Sequence, residues 1–172
     1  DMTGSIMPVK WAFDLQKQDY NIFNTSIKTG TTWSYQGEET VFGVPTYVYT
    51  NEVPPTEVGT LEVPTAAIPG ESKKAEGNTI LDEMYSSKST YWMEPITGQV
   101  IQGESSEFTT YDLDGEQKLV KADYTGKSGN QESADDAAAL AGLVTMIGTT
   151  LPLVFAILGI VLIVIGLLLS RG

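Results

Sequence analysis

The chain has 172 residues, and its 22 acidic residues against 10 basic ones give a net charge of -12. A charge of this size repels phosphate groups, so we expect no nucleic-acid partner. The sequence contains no cysteine and no histidine, which excludes disulfides, thiol and Ser-His-Asp nucleophiles, and zinc sites built from those ligands. The composition therefore predicts a protein that is not an enzyme, and we expect neither a cofactor nor a metal site.

Residues 1–124 have the pattern of a mainly β domain built from antiparallel hairpins. The runs TTWSYQ, EETVFG and PTYVYTNEV are rich in Thr, Val and aromatic residues, and the break at Gly43-Val44-Pro45 predicts a hairpin. Because the chain starts at Asp1, we expect the domain to be incomplete at its N-terminus.

Two further hairpins are predicted near the C-terminal end of this domain. TYWME and QVIQGE flank a turn over 95–98, and SSEFTTYD and QKLVKADY flank an Asp-Gly turn over 113–115, so four strands would form a meander. The segment NEVPPTEVGTLEVPTAAIPGESKKAEGN, which precedes them, carries four prolines. We expect it to be a long surface loop with at most a short edge strand.

The uncharged run LPLVFAILGIVLIVIGLLL fills residues 151–169. A helix of this run would be roughly 29 Å long, close to the roughly 30 Å hydrocarbon core of a bilayer. We expect one transmembrane helix with its span at about 149–169, inside a longer helix over 133–170 that follows a linker over 125–132. Ser133 is its expected N-cap with Asp136 in a capping box, and Pro152 predicts a kink near Gly148.

Charges on either side of the apolar run predict its orientation. Glu132, Asp135 and Asp136 precede the run, and Arg171 follows it. The positive-inside rule then places the tail over 171–172 in the cytoplasm and the β domain outside the plasma membrane. The alternative orientation is a tail-anchored protein with its β domain in the cytoplasm.

Small residues along the helix are candidates for contact with a neighbouring helix, because they allow two helix backbones to approach closely. The alternative is that they are ordinary small residues of a membrane helix. The candidate helix-docking positions are Ala138, Gly142, Gly148, Gly159 and Gly166.

Acidic residues near the two predicted turns are the candidates for chemistry. Glu94 and Glu104 flank a glycine turn, as an acid and base pair could, but a hairpin signature explains them without a cleft. Asp112, Asp114 and Glu116 in YDLDGEQ lack the later ligands of a calcium loop, so a plain Asp-Gly turn is the preferred interpretation. We therefore assign no catalytic or metal residue.

Aromatic residues are the candidates for binding. Trp33, Tyr91 and Trp92 could contact a lipid or a sugar, and Trp11 is a further aromatic residue of the same kind. The alternative is that these side chains pack in the core or in an interface, which is their usual place in proteins.

Three stretches carry a resemblance to a known family. FDLQKQDYNIFNTS, YQGEETVFGVPTYVY and YWMEPITGQVI occur in this order ahead of an apolar C-terminal helix. In these stretches the chain resembles the C-terminal part of an actinobacterial envelope family described as porin-A-like, otherwise a domain of unknown function. The resemblance covers most of the chain, and its entry motif reads Ala12-Phe13-Asp14 where the family has Pro-Phe-Asp.

The resemblance implies a role in the cell envelope. Family members occur in mycolic-acid-making bacteria, carry a further N-terminal membrane helix, and are linked to lipoglycan or trehalose-mycolate handling beside an MmpL-type lipid transporter. We therefore expect a membrane-anchored periplasmic protein that assists the transport or assembly of envelope lipids or glycolipids, by binding the lipid or docking on the transporter. The alternative is a structural accessory subunit of a larger membrane complex with no ligand of its own.

Overall fold

Six antiparallel strands and one long helix make up the computed structural model, which describes residue 11 and residues 13–169, without the side chains of 167 and 168. The strands lie side by side in chain order, as a meander. Their bounds are Tyr20–Asn24 (β1), Thr29–Val41 (β2), Val44–Pro64 (β3), Asn78–Met93 (β4), Val100–Leu113 (β5) and Glu116–Gly129 (β6). The helical segments are Gln131–Thr145 (α1), a π-helical turn Met146–Thr150 and Leu151–Leu169 (α2). The predicted fold class, an antiparallel sheet followed by one long apolar C-terminal helix, is confirmed.

Two tight turns join the long hairpins. Phe42 and Gly43 connect β2 to β3, and Asp114 and Gly115 connect β5 to β6, with positive φ at all four positions. Positive φ at both central residues is typical of the type I′ turn, which matches the twist of the strands that it joins. The sequence predicts both hairpins.

The proline-rich segment is mostly strand, so its prediction as a long loop is wrong. β3 continues to Pro64 in a ladder with β4, and only 65–77 leaves the sheet. Pro54 and Pro55 fall at a bulge in that ladder. On the other side, β2 pairs with β3 only as far as Thr50, so the prolines lie on a free edge where a missing N–H breaks no ladder bond.

Strand pairing also explains why two other predicted boundaries, one inside β5 and one at the linker after β6, differ from the structure. QVIQGE and SSEFTTYD form the single strand β5, so the four expected strands are the three strands β4, β5 and β6. β6 continues to Gly129, which leaves little of the expected linker over 125–132. β5 pairs with β4 on one side and β6 on the other, and these ladder bonds hold polar residues of low strand propensity in an extended conformation.

The helix begins earlier than expected. Its N-cap is Asn130, whose side-chain oxygen accepts a hydrogen bond from the backbone N–H of Ser133 at 2.8 Å. Ser133 therefore lies inside the first turn, and its predicted capping box with Asp136 is wrong. Because β6 delivers the chain to Asn130 in an extended conformation, that residue is the first one able to cap the helix.

The helix is irregular at the place where a kink is expected. The N–H of Leu151 donates to the carbonyl oxygen of Met146, five residues back, which defines the π-helical turn. Pro152 is the second residue of α2, and its missing N–H leaves the carbonyl of Gly148 without the usual partner. The hydroxyl of Thr149 donates to a backbone carbonyl in the same region.

One helix within the described residues is long and apolar enough to cross a membrane. It runs over Gln131–Gly166, and its most apolar window has a mean hydropathy of 2.6 with none of that window buried. An exposed apolar helix fits a membrane anchor and not the core helix of a soluble domain. The expected tail over 171–172, with Arg171, lies outside the described residues.

The start of α1 packs against one end of the sheet. Val44, Ile101, Ala134 and Ala137 form a buried cluster, and Ala141 is buried one turn further along. The small side chains of the three alanines allow the helix backbone to lie close to the turns of the sheet. Gln131 strengthens this contact, because its side-chain amide donates to the backbone carbonyl of the β2–β3 turn at 3.1 Å.

Candidate functional site

An open cleft of about 270 Å³ lies on the face of the sheet that carries most of the aromatic residues. It has an aromatic wall and a polar floor. The wall is formed by Trp11, Trp33 and Tyr91, and the floor includes Asn51, Ser87, Ser89 and Glu107.

The aromatic wall is assembled by the strand register. Tyr49 on β3 pairs with Tyr35 on β2 and with Tyr91 on β4, so the three side chains share one face of the sheet. Trp33 is two residues from Tyr35 and points to the same face. Its ring stacks on Tyr91 with 4.7 Å between centroids and 30° between planes, and Trp11 meets Trp33 edge-on at 5.5 Å.

Gly103 allows the ring of Tyr91 to lie against the sheet. The two residues are directly paired between β4 and β5. A Cβ atom at position 103 would lie 3.1 Å from the Tyr91 ring, so a larger residue would require the ring to shift by a few tenths of an ångström. The glycine therefore permits the close approach of this ring to β5.

The polar floor comes from the adjacent rows of the same ladder. Asn51, Ser89 and Ser105 are paired across β3, β4 and β5, and Ser87 is paired with Glu107. Asn51 is only 5% exposed, and its amide donates to the carbonyl of Thr32 at 2.8 Å. The hydroxyls of Ser89 and Ser105 are 2.9 Å apart. The floor thus combines amide and hydroxyl groups held by hydrogen bonds at Asn51 and Ser89 with the exposed carboxylate of Glu107.

Residues 13–19 form a strap that packs against the buried Tyr49 beside the aromatic wall. Its backbone N–H groups at Asp14 and Leu15 donate to the carbonyls of Ile96 and Pro95 at 2.9 and 2.7 Å. The buried Tyr49 hydroxyl donates to the carbonyl of Gln16 at 2.7 Å. Burial and the neighbouring tyrosines raise the pKa of Tyr49 well above its usual value. The strap therefore rests on a neutral, hydrogen-bonded phenol.

Of the three predicted contact residues, Trp33 and Tyr91 lie together in the cleft and Trp92 does not. Trp92 follows Tyr91 in β4, and successive side chains of a strand point to opposite faces. Its indole N–H donates to the carboxylate of Glu39 at 2.7 Å on the other face. Trp11, the further aromatic candidate, joins the wall.

Glu94 and Glu104 do not form an acid and base pair. The buried carboxylate of Glu94 accepts hydrogen bonds from the N–H of Ile96 at 3.0 Å and from the N–H and hydroxyl of Thr97 at 2.7 and 2.6 Å. Glu104 is instead paired with Lys127 on the exposed strand β6 at 2.6 Å. The first carboxylate stabilises the β4–β5 turn, which agrees with the hairpin interpretation.

The YDLDGEQ carboxylates belong to a hairpin and its turn. Asp112 lies in β5, Asp114 in the turn and Glu116 at the start of β6. Over the part of the chain that the structure describes, no group of three or more acidic residues could hold a metal ion.

Of the five predicted helix-docking residues, Ala138 lies next to the contact that α1 makes with the sheet and the other four lie away from it. Ala138 borders a groove of about 340 Å³ between α1 and the turns at Val44 and Pro95. The other four positions face open space, because a Cβ atom added at any of them would meet no atom within 4 Å; these are Gly142, Gly148, Gly159 and Gly166. The intramolecular contact uses Ala134, Ala137 and Ala141, whose three-and-four spacing is the signal for it in the sequence.

The cleft has the chemistry of binding. Its aromatic faces and polar groups can contact a ligand. None of the lining residues that the structure describes is a lysine or an arginine.

Comparison with known families matches residues 2–168 to one family model, described as porin PorA. Among curated proteins, none matches the chain.

Proposed function

The chain belongs to the porin PorA family, and from this premise we propose that it is a non-enzymatic, membrane-anchored envelope protein that binds a lipid or glycolipid. In this proposal α2 holds the chain in the plasma membrane, the β domain lies outside it, and the cleft receives the ligand.

The observation that carries the proposal is the cleft with its aromatic wall. Concave sites lined by aromatic side chains and a few fixed polar groups are the usual form of small-ligand sites. Trp33 and Tyr91 contact each other by stacking, Trp11 meets Trp33 edge-on, and Gly103 leaves space for the ring of Tyr91. A wall arranged before binding reduces the cost of ordering side chains when a ligand arrives.

The family name suggests a pore, but α2 has the wrong surface to line one. All 19 of its residues are apolar. Ion pathways are lined by backbone carbonyls or charged side chains, with hydrophobic constrictions as gates, and a single helix cannot enclose such a pathway. The helix is suited to contact with hydrocarbon, so we assign it the role of an anchor.

The envelope context supports a more specific role. We propose that the protein assists transport or assembly of mycolate glycolipids or lipoglycans, and that its integral membrane partner is an MmpL-type transporter. The support is the resemblance in the stretches FDLQKQDYNIFNTS, YQGEETVFGVPTYVY and YWMEPITGQVI, together with the family membership.

Native mass spectrometry of the full chain, purified from its membrane, tests the binding proposal. We expect a co-purifying lipid that is lost in Tyr91→Ala and kept in the matched control Trp92→Ala, whose side chain lies on the opposite face of the same strand. Protein that carries no lipid and no membrane partner would contradict the proposal.

A second function is favoured by the exposed small residues of the helix. Gly142, Gly148, Gly159 and Gly166 leave open space beside the backbone, and close packing against another helix would fill it. In this case the chain would be an accessory subunit with no ligand of its own.

The two functions separate in one experiment. The double variant Gly159→Leu/Gly166→Leu should release an accessory subunit from its complex. It should leave lipid binding in the cleft unchanged. Unchanged co-purification of the membrane partner with this variant would remove the argument for helix docking.

A further inference from the structure

We infer that the cleft recognises an uncharged sugar ring, and that it discriminates against lipids with a phosphate headgroup. This inference rests on the proposed function, because it names the part of the lipid that the cleft receives. Four properties of the cleft carry it: its wall, its floor, its charge and its size.

The wall suits the face of a sugar ring. Aromatic rings are electron-rich on their faces, which attracts the weakly positive C–H groups on one side of a pyranose. The ring of Trp33 contacts Tyr91, stacked at 4.7 Å, and Trp11, placed edge-on at 5.5 Å. Aromatic side chains ordered by contact with one another can bind one side of a pyranose chair with little further loss of side-chain entropy.

The floor suits sugar hydroxyls. Asn51 is 5% exposed, lines the cleft and donates a hydrogen bond to Thr32, which leaves its side-chain oxygen and a second N–H for a ligand. Ser87 and Glu107 are paired next to it in the ladder. Each sugar hydroxyl is both donor and acceptor, so it can bond to amide, hydroxyl and carboxylate groups alike.

An acyl chain would bind this floor poorly. Eight of the fourteen lining residues, tyrosines aside, end in a hydroxyl, amide or carboxylate group. A hydrocarbon chain laid over these groups would remove their water and return no hydrogen bond, which is costly. The headgroup is therefore the part that enters, and the chains remain outside.

The charge of the cleft opposes phosphate. Its lining includes the carboxylate of Glu107, and the lining residues within the described part of the chain include no lysine or arginine. Phosphate sites rely on such cations or on a group of backbone N–H donors. The same carboxylate strengthens a hydrogen bond from a sugar hydroxyl, because the acceptor is ionised.

The volume of the cleft agrees with a small headgroup. At about 270 Å³, it lies just below the range of roughly 300–1,000 Å³ that is usual for drug-sized ligands. This leaves room for a single ring or the end of a short saccharide.

The test uses the full chain in phosphatidylcholine nanodiscs, so that no sugar detergent is present. Each disc also contains either a monoglucosyl diacylglycerol or phosphatidylglycerol with the same acyl chains. Tryptophan fluorescence and native mass spectrometry report binding. We expect the glycolipid to bind at least about tenfold more tightly than phosphatidylglycerol, and free maltose to compete for its site.

Variants locate the effect in the cleft. Glu107→Lys, at an exposed position, should weaken the preference for the glycolipid and strengthen phosphatidylglycerol binding, because it places a cation beside the floor. Its matched control is Glu57→Lys, which changes the net charge equally outside the cleft. Tyr91→Ala should weaken glycolipid binding at least about tenfold, whereas Trp92→Phe should leave it unchanged, with circular dichroism to check the fold.

The outcomes separate this inference from the proposed function. Equal binding of both lipids, lost in Tyr91→Ala, would overturn the sugar inference and leave lipid binding in place. Glycolipid binding that free maltose does not reduce, or that survives both Tyr91→Ala and Glu107→Lys, would also overturn it. Failure of every lipid to bind would instead contradict the proposed function.

Discussion

The carboxylate of Glu94 closes the β4–β5 turn from inside the protein. Both of its oxygens accept hydrogen bonds, one from the N–H of Ile96 and the other from the N–H and hydroxyl of Thr97. Hydrogen bonds to a charged group are stronger than neutral ones, and leaving such a donor unpaired in a buried place is costly.

Glu94→Gln should therefore destabilise the β domain. The glutamine NH₂ group cannot accept a hydrogen bond, so at least one donor of the turn loses its partner, at a cost of about 1–3 kcal/mol in unfolding free energy. Urea unfolding followed by circular dichroism measures this change. The control is Glu104→Gln, which removes only an exposed ion pair with Lys127 and should cost about 1 kcal/mol or less. Equal effects of the two variants would contradict this role of Glu94.

Tyr49 should make stability depend on alkaline pH. Burial raises its pKa above the usual value of 10, so the unfolded chain loses this proton first as the pH rises. The wild type then loses unfolding free energy above a pH of about 10, while the contribution is fully present below it.

Tyr49→Phe removes both the hydroxyl and its titration. Below a pH of about 10 the variant should be less stable than the wild type by about 0.5–1.5 kcal/mol, because the hydrogen bond to Gln16 is lost. Above that pH the difference should shrink, since only the wild type has this proton to lose. Urea unfolding over a range of pH measures it, and a difference that stays constant across the alkaline range would refute the assignment.

At the scale of elements, α1 is held to the sheet by alanines. Ala134 and Ala137 are fully buried against Val44 and Ile101. Since the helix continues into α2, this contact sets where the sheet stands relative to the anchor. Its stability depends on the small size of the buried side chains.

Ala137→Leu should disrupt this contact. The larger side chain has no space, and overpacking of this kind costs about 1–3 kcal/mol. Hydrogen exchange of the β2–β3 turn and of α1 should increase, because the two would separate more often. Ala139→Leu, on the exposed side of the same helix, is the matched control and should leave exchange unchanged. Protection that is equal in both variants would show that the alanine contact does not hold α1.

The strand β3 shows how an element can contradict its local sequence. Pro54 and Pro55 predict a loop, yet the strand continues past them to Pro64. The prolines are tolerated because β2 has already ended beside them and the ladder with β4 bulges at this point. Whether an edge is free depends on the neighbouring strand, which the local sequence does not report.

At the scale of the molecule, the protein combines an acidic sheet with an apolar helix. The exposed side chains of α2 include Leu153, Phe155, Leu162 and Ile163. So much exposed apolar surface on one helix is stable in hydrocarbon and unstable in water.

Membrane attachment should therefore resist alkaline washing. The full chain is expected to stay with the membrane pellet after carbonate extraction, because apolar burial does not depend on charge. A variant that ends at Gly148, before α2, should move to the supernatant. Release of the full chain by the wash, or retention of the shortened one, would contradict the assignment of α2 as the anchor.

Features that depend only on neighbouring residues could be predicted from the sequence. The Asp114-Gly115 turn follows from the ease with which these residues adopt positive φ, and the apolar run over 151–169 follows from composition alone. The local pattern predicts the helix start at Ser133 instead of Asn130, because the choice of cap depends on where β6 ends.

Contacts between distant side chains depend instead on the pairing of the strands. Trp33 and Tyr91 are far apart in the chain and stack because β2, β3 and β4 pair in one register. Trp92, next to Tyr91, is predicted to join them and lies on the opposite face. In a sheet, a shift of one residue moves every side chain to the other face, so the cleft exists only once the long-range pairing is set.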